Sequence, residues 1–469
     1  MKQVARLSRA RNVVPGQDKQ VSEKTSESAF RGFRRFFASA SLRRVCAFAV
    51  ALSPACDSLW FSYLEPCDSS RTACQDSAGD RILPSNGIDP AWFGDAKAAL
   101  EPTQDLVIDT DLGTVVTLAG NQQLTDVSYH QVNAADCGKS WKVGIGVFSF
   151  KRIRIPEGVR VRFAGTRAAA LLSPGRIEIE GLLDLRGSQA ECSDMRCGGP
   201  GGFPGGYAQN PGVPGDGPGG GLFGHGVGGD GDEAGGGGAG SCGTGGRGGD
   251  GNTPALYPGG AGGQPYQNAN LIPLCGGSGG GPGGLGKQTT DLTQRGGGGG
   301  GAIQIVSKSA VTISSSAATP SGIQAGGGGG QSDHGTNFND GGGGGGAGGA
   351  ILIEAPIITI SSGAVLAANG GSGGGGYNNG KDTANGVPAD LSSTPVLGGL
   401  GEVRSGGSGG AGSTQNGSDA TGIPGDGGGG GGGAVGRIRL NTQDGTATIS
   451  GVLSPNMGNC TTIGMLTLR

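Results

Sequence analysis

Asp109 and Asp111 are separated by one residue in an alternating tract. On a β-strand that spacing projects two carboxylates from one face, as an acid/base pair acting on a glycosidic bond requires. It equally suits solvated residues at a strand or turn. Gly245-Gly246-Arg247-Gly248-Gly249-Asp250 matches the opening of a calcium-binding nonapeptide, although Asn252 stands where an apolar anchor belongs and no tandem copy follows. With Asp230, Asp232 and Glu233 in a neighbouring Gly-rich turn, Asp250 completes the set of candidate calcium ligands; no other cofactor is indicated. G-x-G-x-x-G spacing is unavoidable in so much glycine, and without a following Gly-Lys-Ser/Thr or helix it does not mark a phosphate loop. His130 and His334 have no cysteine or histidine at ligand spacing, and Asn416 and Asn459 begin glycosylation sequons that matter only in a glycosylating host.

The elements that must carry these residues are set by glycine, 108 of 469 positions, in pure runs that bracket β-patterned segments. Only 34% of residues are hydrophobic and 5% aromatic, so one large globular core is excluded and the apolar residues must be concentrated in a few segments. Glycine at this level signals disorder unless a repeat gives it order.

The first 55 residues read as an export signal or a start placed too far upstream. Arg31, Arg34, Arg35, Arg43 and Arg44 precede a short apolar stretch, Val45 to Leu52, too short to span a bilayer. Ser53 and Ala55 suit signal-peptidase cleavage, and Cys56 stands where a bacterial lipoprotein carries its lipid, with Ser53 and Pro54 departing from the usual lipobox. Removing residues 1–55 leaves 23 basic against 34 acidic side chains, a formal charge of −11. That balance argues against nucleic acid as a partner and fits a solvated surface protein, touching membrane only through its signal or anchor. Eight cysteines remain beyond Cys56: Cys67, Cys74, Cys137, Cys192, Cys197, Cys242, Cys275 and Cys460. An even number in an exported chain favours disulfides, and no C-x2-C supports zinc. Proximity suggests Cys67/Cys74 and Cys192/Cys197, with Cys242/Cys275 stapling a Gly-rich segment and Cys137/Cys460 joining the ends; the connectivity stays open.

Residues 153–185 hold two alternating tracts that superimpose at a spacing of 24, placing Ile153 over Ile177, Ile155 over Ile179, Val159 over Leu183 and Val161 over Leu185. Such a repeat suits successive coils of a parallel β-solenoid stacked about 4.8 Å apart. The outward charges are mixed, with Arg154 beside Glu178 and Arg160 beside Asp184, but Arg152 meeting Arg176 and Arg162 meeting Arg186. A strand pair recurs at Ile303/Ile305 with Val311/Ile313, at Ile351/Ile353 with Ile358/Ile360, and at Ile438/Leu440 with Ala447/Ile449. About five coils are expected, interrupted by glycine excursions at about 188–301, 326–349 and 370–433. The excursions are either flexible loops or extended polyproline-II-like helices of about 3.1 Å per residue packed side by side, the polyglycine-II arrangement; the strict period of collagen is absent. The purity of the runs, and their position against strands, favours ordered packing. The fold class is therefore all-β, a parallel solenoid over 140–469, with residues 56–139 as a Cys-containing region expected to cap an open end.

Tracts such as Arg152-Ile153-Arg154-Ile155-Pro156-Glu157-Gly158-Val159 and Gly348-Gly349-Ala350-Ile351-Leu352-Ile353-Glu354-Ala355 give residues 140–469 a resemblance to glycine-rich bacterial surface proteins. These are built on a right-handed β-helix of the pectin-lyase-like type with insertions like those of PGRS domains. The resemblance implies an exported, non-catalytic structural or adhesive protein that meets envelope or surface glycans and proteins. Phe203, Tyr207, Phe223, Tyr257, Tyr266, Phe338 and Tyr377 are its candidate contacts, or pack on the scaffold. Relatives of the scaffold that cleave polysaccharides make a lyase or glycosidase the alternative. Gly224-His225-Gly226 is similar to a polygalacturonase motif, but the aspartates and Arg-x-Lys element that accompany it are absent. Ice or crystal-surface binding by flat glycine faces is the third expectation.

Overall fold

A computed structural model describes residues 81–188, 197–209, 212–226, 233–285, 294–316, 319, 321–332, 340–376, 383–401, 404–421 and 427–469. The described residues are nearly all-β, with a single six-residue 3-10 helix (Pro90–Asp95). Cys56, Cys67 and Cys74, with the expected export signal at 1–55, lie outside them.

Strands come in triplets. The first is β4 (Trp141–Ser149), β5 (Ile153–Ile155) and β6 (Arg160–Ala164), and the second β7 (Ala168–Ser173), β8 (Ile177–Ile179) and β9 (Leu182–Asp184). There follow β10 (Ala302–Ser307), β11 (Ala310–Ile313) and β12 (Gly322–Gln324), then β13 (Ala350–Glu354), β14 (Ile357–Ile360) and β15 (Val365–Ala367). The last triplet is β16 (Arg437–Thr442), β17 (Thr448–Ile449) and β18 (Val452–Ser454), followed by β19 (Thr461–Met465). From β7 onward each strand pairs in parallel with the strand three earlier, so the chain visits three sheets in rotation: sheet I (β4-β7-β10-β13-β16-β19), sheet II (β5-β8-β11-β14-β17) and sheet III (β6-β9-β12-β15-β18). At the leading edge β1 (Leu106–Asp109) adds in parallel to β6. There β2 (Thr114–Thr117) and β3 (Ser128–Gly138) add antiparallel to β1 and β4.

Parallel pairing puts like residues over like, and the interior is filled by three aliphatic columns. Phe148, Leu171, Ile305, Ile353 and Leu440 stack in sheet I, Ile155, Ile179, Ile313, Ile360 and Ile449 in sheet II, and Val161, Leu183, Ile323, Leu366 and Leu453 in sheet III. Each fully buried member contributes about 1.5–3 kcal/mol, enough in sum to hold a scaffold whose remaining mass is glycine. Sheet I is buried on both faces: its outer side packs Ile82, Ile88 and Phe93 against Ala170, Val306 and Leu352. Across that face the buried carboxylate of Glu354 accepts from Ser85 N at 3.0 Å, Ser85 Oγ at 2.7 Å, Gln304 Nε2 at 2.7 Å and Asn441 Nδ2 at 3.2 Å. The N-terminal segment is thereby fixed to three strands.

Two expectations are corrected. The repeat has three strands rather than two, and the pair at 153–161 belongs to sheets II and III, whereas that at 303–313 belongs to sheets I and II. Strand β7, Ala-Ala-Ala-Leu-Leu-Ser, is buried on both faces and therefore carries no alternation to read. The 24-residue spacing holds for Ile153 over Ile177, but Val161 lies over Leu183, two residues short of the expected Leu185. The turn before β6 is two residues longer than the one before β9, and an even slip preserves which side chains point inward.

The like charges of sheet II, whose register is as expected, are resolved by their carboxylate partners. Arg152 reaches Glu178 at 2.9 Å and Arg154 reaches Glu180 at 3.0 Å, diagonally across the strands, while Arg176 lies 3.9 Å from Glu178 along the same segment of chain.

Every excursion leaves after sheet III and returns at sheet I. That corner is closed by Gly165–Arg167 between the first two triplets, and by residues 185–301, 325–349 and 368–436 at the next three. The excursions are bonded to one another with a period of three. In the central run Gly235 and Gly238 donate to Gly249 and Gly246, Gly236 and Ala239 to Gly342 and Gly345, and Gly237 and Gly240 to Leu222 and Gly219. The same run accepts from Gly260 and Gly263, from Gly431 and Ala434, and from Gly284 and Gly281. It therefore has six neighbours, drawn from all three excursions.

Each such bond contributes about 1 kcal/mol net, no more than the backbone entropy a glycine loses, about 1–2 kcal/mol. The layers need an external staple, and two disulfides supply it: Cys137 with Cys275, and Cys242 with Cys460. The expected pairs Cys242/Cys275 and Cys137/Cys460 are thus exchanged. Cys137 in β3 and Cys460 beside β19 sit at opposite edges of sheet I, and the first excursion runs between them. Cys197 is buried, and Cys192 lies outside the described residues.

Candidate functional site

The acid/base pair expected at Asp109 and Asp111 does not share a strand face. Asp109 ends β1 and its Oδ1 accepts the N–H groups of Asp111 and Leu112 at 2.9 and 3.0 Å, closing the turn that follows. Asp111 reaches across to the tight corner, accepting from Thr166 N at 2.8 Å, Thr166 Oγ1 at 3.0 Å and Arg167 N at 3.2 Å. Both carboxylates hold backbone in place.

Of the calcium candidates, Asp230 and Asp232 lie outside the described residues and Glu233 is buried. Asp250 accepts from the Arg247 guanidinium and from Gly259 N at 2.8 Å. Burial tends to lift the Asp250 carboxyl, but the Arg247 and Gly259 donors hold it below its ordinary range. The nonapeptide aspartate is thus spent on an arginine, and among the described residues no three His, Cys, Asp or Glu side chains gather as a metal site.

His225 is exposed and its ring lies 5.0 Å from that of Phe223. His130 shows a grouping that sequence spacing hides: Ser128 Oγ at 3.2 Å and Asp95 Oδ2 at 3.1 Å, with Trp92 stacked on the ring at 4.6 Å. A nucleophile relay needs serine and carboxylate on different ring nitrogens. Here both contact Nε2, so the group is a stacked, hydrogen-bonded contact that fixes the 3-10 helix to β3. His334 lies outside the described residues.

Among the candidate aromatic contacts, Phe203 is buried edge-on against Trp141 at 5.5 Å. The Tyr266 hydroxyl donates to the Gly276 carbonyl, and burial pushes its pKa up to about 12. Phe203 thus holds the first excursion to β4, whereas the Tyr266 bond is internal to that excursion and Tyr207 is exposed; Phe338 and Tyr377 lie outside the described residues.

A cleft with a volume of about 380 Å3 lies on the outward face of sheet III, beside the corner from which the excursions leave. Its floor carries Arg160 and Arg162 from β6, Asp184 from β9 and Arg186 just beyond. Gly198 and Gly199 of the first excursion and Pro388 of the third form its walls. Asp184 is buried, and although burial would raise its carboxyl, the Arg186 and Arg160 guanidiniums hold it below the usual carboxylate range. Sequence reasoning missed this cleft because its register set Arg162 against Arg186, whereas Arg162 lies opposite Asp184.

Among the described residues no helix is long and apolar enough to cross a membrane. Comparison with protein-family models, with curated proteins and with solved structures returns no match.

Proposed function

We propose that this chain is an exported, non-catalytic surface protein in which a right-handed parallel β-solenoid carries layers of polyglycine-II helices as one rigid structural or adhesive body. The observation that carries this reading is the period-three bonding of residues 233–240 to six neighbouring segments of the three excursions. A threefold extended helix presents its N–H groups in three directions in turn, and only glycine lets such helices approach closely enough to bond on every side. Cyclic rotation of the strands through three parallel sheets supports the solenoid. Two disulfides that tie the first excursion to both edges of sheet I support an oxidising compartment, with Cys56 as the anchor. Glycans and proteins of the envelope are the partners such a body would meet.

Amide hydrogen exchange on the purified chain tests the rigid body. Gly235–Gly240 and Gly342–Gly349 should be protected to within about tenfold of β10 and β13, whereas free-chain exchange rates in the glycine runs overturn it. Labelling of intact cells with an impermeant amine reagent tests export: label on this chain supports a surface location, and label only after lysis removes it. Release of new reducing ends or unsaturated products from acidic polysaccharide by the purified chain would replace the non-catalytic reading with an enzyme.

A further inference from the structure

Val107, Arg162 and Asp184 stand in register across β1, β6 and β9, all on the outward face of sheet III. Asp184 is 3% exposed and its carboxylate is fully taken. Arg186 donates Nε to Oδ1 at 3.0 Å and Nη2 to Oδ2 at 3.2 Å, while the Arg160 guanidinium closes on Oδ2 from the other side. Arg162, the direct register partner, is left out: its side chain is exposed and makes no hydrogen bond or ion pair among the described residues. Arg160 Nε is also buried without an acceptor. Three guanidiniums around one carboxylate leave two positive charges in a cleft of about 380 Å3, on a chain whose net charge is −3.

The geometry assigns a role to each group. Asp184 orients Arg160 and Arg186 as a positioning residue, which leaves Arg162 as the open planar fork, the donor array that matches an oxyanion in two parallel bonds. Val107 and Pro388 give the cleft apolar surface beside the charged floor, which suits the C–H face of a sugar ring. We propose that this cleft is an oxyanion subsite for a carboxylate or sulfate group carried on an extended acidic polysaccharide, with Arg162 as its principal ligand. The proposal deepens the adhesive reading by naming what is bound, but binding itself stands on the cleft alone and would survive relocation of the chain to another compartment.

Calorimetric titration of the purified chain with a tetrameric uronate, a sulfated tetrasaccharide, a neutral glucan tetrasaccharide and inorganic sulfate tests it. One or both acidic oligosaccharides should bind at one to one and weaken as salt rises from about 0.05 to 0.5 M, while the neutral one does not bind. Which of the two binds identifies the group. Arg162→Gln should weaken binding about tenfold or more with an unchanged melting temperature. Arg152→Gln, whose guanidinium already lies against Glu101 and Glu178, should bind as the parent does. The proposal is overturned if neither acidic oligosaccharide binds, if only inorganic sulfate does, if Arg162→Gln binds as the parent does, or if both variants weaken binding equally.

Discussion

A methyl group built on Gly238 would stand 1.9 Å from the carbonyl oxygen of Gly432, although the rest of the first excursion, two whole strand triplets, the second excursion and most of the third lie between the two residues in sequence. The contact is backbone to backbone, so no side chain can swing away to make room. The same holds at Gly345 against the Gly371 oxygen, at 2.2 Å. Glycine at these positions is required by the spacing of the segments rather than by backbone conformation.

Gly238→Ala should therefore destabilise the chain by about 3 kcal/mol, at the upper end of overpacking costs, because the displaced neighbour is itself bonded on several sides. Gly94→Ala, in the exposed 3-10 helix with nothing within 4 Å of the added carbon, should change stability by less than about 0.5 kcal/mol. Urea unfolding of the two variants checks both, and equal midpoints would show that the glycine layers yield freely.

How much of this was legible before the structure depends on which physical signal each feature leaves. Inward aliphatic positions such as Ile153 and Ile177 are read from alternation, because only the inner face of those strands is fully buried. Strand β7 leaves no alternation, and β12, β15 and β18 are three residues each, too short to carry a period. An even slip in register, Val161 over Leu183, is silent in a hydrophobic pattern and hides the cleft, because a 24-residue spacing sets Arg162 against Arg186 rather than against Asp184. Cysteine pairing failed for a different reason: proximity in sequence says nothing of a chain that leaves sheet III and crosses the width of sheet I before it returns.

The disulfide between Cys242 and Cys460 closes 218 positions of sequence, and a link over so long a loop removes about 5 kcal/mol of unfolded-chain entropy in the loop-closure treatment. Cys242→Ala/Cys460→Ala should lose about 3–5 kcal/mol of stability and should release the glycine runs before the strands. Non-reducing peptide mapping comes first: fragments carrying Cys137 with Cys275 and Cys242 with Cys460 are expected. A cross-link between Cys242 and Cys275 would contradict the fold.

Asp184 gives an acid-side prediction. Its carboxyl is held below the ordinary value of about 3.9 by Arg186 and Arg160, so the folded state prefers the charged form. The stabilisation is present in full above the unfolded value and is lost as pH falls through the lower, folded one. Asp184→Asn should cost about 2 kcal/mol at pH 7, the scale of hydrogen bonds to a charged group, and the gap to the parent should close as pH is lowered below about 3.9. Unfolding midpoints across that range check the sign; a gap that widens on acidification would show that Asp184 is not the group being titrated.

Tyr266 works in the opposite direction. Burial favours its neutral phenol, which donates to the Gly276 carbonyl, and lifts its pKa to about 12 from the ordinary value of 10.0. Since the folded value lies above the unfolded one, the contribution is intact below pH 10, and it declines as pH rises towards about 12 and the unfolded chain ionises first. Absorbance titration near 295 nm should show a late phenolate step that is missing in Tyr266→Phe. That variant should be less stable than the parent by about 1 kcal/mol at pH 7, with the difference shrinking in alkali. A parent chain whose tyrosines all ionise near pH 10 while the strands remain folded would mean that Tyr266 is open to solvent. The hydrogen bond that ties residue 266 to residue 276 within the first excursion would then be absent.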